Sequence, residues 1–70
     1  MQMRNPNRLD NFYDEMKKLH KKHFPDWRFG QLCFNFFMWI QEEKHRDIFF
    51  PEEEEMLNLF KEYIKGNAPF

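Results

Sequence analysis

Three histidines, one cysteine and a run of glutamates are the residues of this chain that could do chemistry. His20 and His23 stand three apart, His45 lies beyond the chain's midpoint, and Cys33 is the sole cysteine. Imidazole nitrogens at i,i+3 share a helix face, and with a thiolate they could hold zinc. Structural zinc sites, however, pair Cys or His at both ends of the site. The simpler reading is two helix-end histidines beside aromatic rings, and no metal or cofactor is expected. Glu52–Glu55 is the acidic counterpart. Paired carboxylates run acid–base reactions when their environments push their pKa values apart. Four neighbouring glutamates on one solvated helix turn offer no such asymmetry. Cys33 sits within an apolar stretch, where a thiol is inert packing. The chain is expected not to be an enzyme.

Two further sets could bind rather than react. Lys17, Lys18, Lys21 and Lys22, with Arg28 and Gln31, could meet nucleic acid. Phosphate contacts would come from the lysines. Arg28, Gln31 and Asn35 fall at i, i+3 and i+7, so they line one face of a helix that could approach base edges. The apolar remainder of that helix makes it a poor groove reader. The second set is Phe34 and Met38, with Trp39 and Trp27 nearby. Aromatic residues and methionine are enriched in the cores of protein interfaces. This set is the favoured partner surface, for another protein or for a second copy in a homodimer, and the nucleic-acid set is the alternative.

The elements that must position these groups follow from periodicity. Asn5-Pro6 reads as a helix start, because Asn can take free N–H groups and Pro suits the first helical position. Leu9, Phe12, Tyr13, Met16, Leu19, His20 and His23 recur on one face. Pro25 disfavours helix at Phe24, so the first helix is expected over about residues 6–23. Asp26 is the expected cap of a second, over about 26–42. Within it Phe29, Leu32, Cys33, Phe36, Phe37 and Ile40 fall in an arc of about 140°. Phe34 and Met38 point away from that arc. This stretch is apolar around most of its circumference, so it is expected to be the central core helix. Gly30 costs about 1 kcal/mol relative to Ala inside a helix, and a close backbone or ring approach is the expected compensation.

Pro51 opens a third helix, expected over about 51–65. Glu52–Glu55 meets its positive end, and Phe49 or Phe50 is expected to pack beneath as a staple. Met56, Leu57, Phe60, Tyr63 and Ile64 form its buried face, and Gly66 is the expected left-handed stop. Residues 1–4 and 67–70 are expected to be tails. Nothing alternates as a strand would. The fold class is therefore all-α, a small three-helix bundle forming one domain over residues 1–70.

The totals agree with that picture. A chain of 70 residues has a thin stability margin. With one cysteine it cannot form an internal disulfide, and a lone thiol suits a reducing compartment. Ten Phe, two Trp and two Tyr supply dense packing instead. The net charge of −1 argues against a general nucleic-acid binder. No apolar run approaches the roughly 20 residues of a membrane span, and the first residues lack the apolar segment of a signal peptide. A soluble cytoplasmic protein is expected.

Three segments together resemble a known group. They are Asn5-Pro6-x-Arg8-Leu9, then Pro25-Asp26-x-Arg28-Phe29-Gly30-Gln31-Leu32, then Asp47-x-Phe49-Phe50 ahead of an acidic helix. In that order they resemble small, uncharacterised helical proteins of bacteria, some in phage or other mobile-element settings. The resemblance implies a compact helical domain of bacterial or phage origin. It brings no activity with it.

Overall fold

Asn5 begins a turn rather than a helix. Its side-chain Oδ1 accepts the N–H of Asn7 at 2.9 Å. Arg8 N–H donates to the Asn5 carbonyl at 3.2 Å and Leu9 N–H to that of Pro6 at 3.1 Å. Such an Asx turn satisfies the first donors locally, so the helix starts two residues later than expected. The computed structural model describes residues 4–68. They contain α1 (Arg8–His23), α2 (Phe29–Glu43) and α3 (Glu53–Asn67), and no strand among the described residues. The all-α, three-helix reading is the observed fold.

Between α1 and α2 the chain reverses through Phe24-Pro25-Asp26-Trp27, closed by Trp27 N–H to the Phe24 carbonyl at 3.1 Å. Proline suits the second position of such a turn. Asp26 is therefore a turn residue and not the cap of α2. That position belongs to Arg28, whose N–H donates to Gln31 Oε1 at 2.8 Å. A glutamine at the third helical residue reaching back to the cap is half of a capping box. A guanidinium has no acceptor to return the bond.

α2 ends where Lys44 and Arg46 N–H both donate to the Ile40 carbonyl, each at 3.2 Å. His45 between them takes the left-handed region at φ 54°, as residues just past a helix end do. Gly66, expected to stop α3, lies inside its last turn, and neither glycine has positive φ. The helix runs on to Asn67, whose side-chain amide donates to the Tyr63 carbonyl at 3.0 Å. Ala68 is extended, and the proline after it in the sequence explains why.

The core is one cluster: Phe24, Leu32, Phe36, Ile40, Leu59, Phe60 and Tyr63. Its rings interlock. Phe36 lies 4.9 Å from Phe60 and 5.5 Å from Tyr63, and Phe24 stacks on Trp27 at 4.3 Å. α1 contributes Met16 and Leu19 at the margin but no fully buried residue. The helix that packs most extensively against the other two is α3, and α1 and α2 meet each other only weakly. The buried stripe of α2 is the single row Leu32, Phe36, Ile40. Cys33 and Phe37 from the expected arc are half-buried, and Phe29 is 70% exposed. A helix covered mainly by one neighbour buries one row of side chains. The apolar content of α2 thus overstated its centrality.

Residues 1–3 and 69–70 of the expected tails lie outside the described residues. Arg4 is not a loose tail residue, since its guanidinium grips the Glu52 carboxylate at 2.8 Å and 3.1 Å.

Candidate interaction surfaces

Phe34 and Met38 stand outward on α2, 59% and 36% exposed. They share a shallow hollow with Asn35, Glu42, Glu43 and Asn67. Trp39 borders it but is half-buried, edge-on to Tyr63 at 5.3 Å, with Lys44 Nζ 5.7 Å from its ring centre. Trp27 does not join this face. It is half-buried against Phe24, and its carbonyl lies 2.8 Å from His20 Nε2. The set expected from sequence therefore splits into an exposed pair, a border residue and a half-buried residue packed against the core.

A second apolar surface went unnoticed in the sequence. Phe12, Tyr13 and Met16 of α1, Phe29, Leu32, Cys33, Phe36 and Phe37 of α2, and Ile48, Phe49, Pro51, Glu53 and Met56 line a groove of about 300 Å³. Tyr13, Phe29 and Phe49 are 61%, 70% and 87% exposed, and Phe50 beside them is 82% exposed. Neither Phe49 nor Phe50 is the staple expected beneath α3. Ile48 takes the inward place instead, against the core. The segment is pinned rather than loose. Asp47 Oδ1 accepts the Phe49 N–H at 2.6 Å, and Arg46 reaches Glu55 at 2.9 Å. Connecting segments run over the surface, and two consecutive rings in a short one were the signal available in the sequence.

The acidic turn is paired within the chain. Arg8 Nε donates to Glu53 at 2.7 Å, and Arg4 and Arg46 serve Glu52 and Glu55. The Arg8 hydrogen bond holds the Glu53 carboxyl below the usual carboxylate range, and Arg46 does the same for Glu55. These shifts keep both groups ionised, which suits neither for proton donation. Burial pushes the Cys33 thiol up, away from thiolate reactivity. Among the described residues no group of three or more His, Cys, Asp or Glu could hold a metal ion.

Lys17, Lys18, Lys21, Lys22, Arg28 and Gln31 are all exposed. The Gln31 side-chain Oε1 already accepts the Arg28 N–H at the start of its own helix. No helix among the described residues is long and apolar enough to cross a membrane. Comparison with protein-family models, with curated proteins and with solved structures returned no match to this chain.

Proposed function

We propose that this chain is a non-enzymatic protein-interaction module that binds through the Phe34/Met38 face of α2. One observation carries the reading: two large apolar side chains, one turn apart, face outward, Phe34 mostly and Met38 about a third exposed, on a helix whose opposite row fills the core. Large apolar side chains grouped on a small domain's surface mark contact sites. Asn35, Glu42, Glu43 and Asn67 line a mainly polar hollow beside the pair, which gives it the polar border of an interface. A cytoplasmic setting, in a bacterium or its phage, goes with this reading and with the single thiol.

Affinity capture from the native host, with the Phe34→Glu/Met38→Glu double variant as control bait, tests it. A protein retained by the natural chain and lost by the variant is the expected result. Equal capture by both baits overturns the role of this face. The nucleic-acid alternative keeps its exposed lysines but shares α2 with bare phenylalanines. Salt-sensitive binding to duplex DNA, weakened by Lys21→Glu, would put it ahead.

A further inference from the structure

The groove between α1, the start of α2 and the Ile48–Pro51 segment is a different surface from the Phe34/Met38 face. It combines a depression with a protrusion. Buried Leu32 and Phe36 reach its lining, while Phe49 stands 87% exposed on its rim, with Phe50 next in sequence. A cavity of about 150 Å³ accommodates one benzene ring, so about 300 Å³ has room for two. We infer that this face pairs with the same face of a second copy about a two-fold axis, the Phe49-Phe50 protrusion of each copy seating in the groove of the other. A surface carrying both knob and hole can be complementary to itself, which is what an isologous contact requires.

Area and charge favour this occupant. Counting about 150–250 Å² for a whole aromatic side chain, Tyr13, Phe29, Phe49 and Phe50 at their exposures present roughly 450–750 Å² per copy. Complete cover of these rings in two copies would bury about 900–1,500 Å², which overlaps the lower part of the range for specific interfaces, about 1,200–2,000 Å². The expected dimer is therefore weak, forming in the micromolar range or above. Among the described residues Glu53 is the only charged one lining the groove, and Arg8 already neutralises it. Closing the face strands no lone charge, a cost that makes many buried contacts unfavourable. The net charge of −1 leaves little repulsion between copies. The protrusion is also held in place beforehand by Asp47, which reduces the ordering cost of association.

Sedimentation equilibrium of the full chain, from low micromolar to millimolar, tests the pairing. The natural chain is expected to move from monomer to dimer and no further. Phe29→Glu/Phe49→Glu is expected to stay monomeric throughout, with an unchanged helical circular dichroism spectrum, because both side chains lie mostly in solvent. Phe34→Glu/Met38→Glu is expected to dimerise as the natural chain does. A natural chain that remains monomeric at millimolar concentration overturns the inference, and leaves the groove to an apolar molecule or another protein. Open-ended assembly, or a dimer lost only in the Phe34/Met38 variant, overturns it as well. None of these outcomes decides the capture experiment, so the two readings fail separately.

Discussion

Glu53 and Glu55 carry the clearest consequence at the level of single residues. Arg8 holds the first below the ordinary carboxylate range and Arg46 the second, in each case chiefly through a direct hydrogen bond. Their folded values therefore lie below the unfolded value of about 4.3. A carboxyl shifted that way contributes stability in full above its unfolded value, and loses it as pH falls through the folded one. Stability to urea is expected to hold from neutrality to about pH 5 and to decline below it. Arg8→Ala together with Arg46→Ala should flatten that decline. The Arg8–Glu53 pair is about a third exposed, so it is worth no more than about 1 kcal/mol. An acid decline identical in the double variant would show that these pairs do not form in solution. The glutamate run was legible from sequence as charge suited to a helix start. Its arginine partners were not: Arg4 and Arg8 lie 48 and 45 residues away in the chain, and no local pattern encodes such a pairing.

At the scale of elements, the number and type of helices followed from periodicity, while their ends were decided by particular caps. Gln31 drew the start of α2 to Phe29, and the sequence around Ala68 let α3 run past Gly66. The centrality of α2 was misjudged because a run of apolar residues counts Phe29 as if it were covered, and it is 70% exposed. Gly30 was misjudged in the same way. It was expected to admit a close neighbour, yet a Cβ built there meets nothing within 4 Å, and its φ is not positive. Glycine at such a site only adds freedom to the unfolded chain. Gly30→Ala is therefore expected to stabilise the fold by about 0.5–1 kcal/mol, read as a higher urea midpoint at unchanged slope. A lowered midpoint would mean that something does approach this turn of α2. An unchanged fold that no longer binds a captured partner would assign the open turn to an interface instead.

The whole molecule stands on a single aromatic cluster, and that concentrates its stability in few residues. Phe60 of α3 is completely buried, touches Phe36 from α2, and lies 6.2 Å from Phe24 at the α1–α2 turn. Removing its ring would leave a cavity where all three segments meet, bordered still by Tyr63, which lies 5.5 Å from Phe36 and 5.8 Å from Phe24. A Phe→Ala change in a core costs about 3–5 kcal/mol, and a domain of this size has only about 3–5 kcal/mol to lose. Phe60→Ala is thus expected to be largely unfolded at 25 °C, with its helical circular dichroism signal gone. Phe60→Leu, which keeps most of the volume, should remain folded with a lowered melting temperature. The outward rings behave oppositely. Phe34→Glu and Phe49→Glu remove nothing from the cluster and should alter monomer stability by no more than about 0.5 kcal/mol. That contrast separates the two uses this chain makes of its aromatic content. If Phe34→Glu or Phe49→Glu destabilised a dilute monomer as strongly as Phe60→Ala, that ring would be packed within the fold, and the contact face that carries it would not be free to bind.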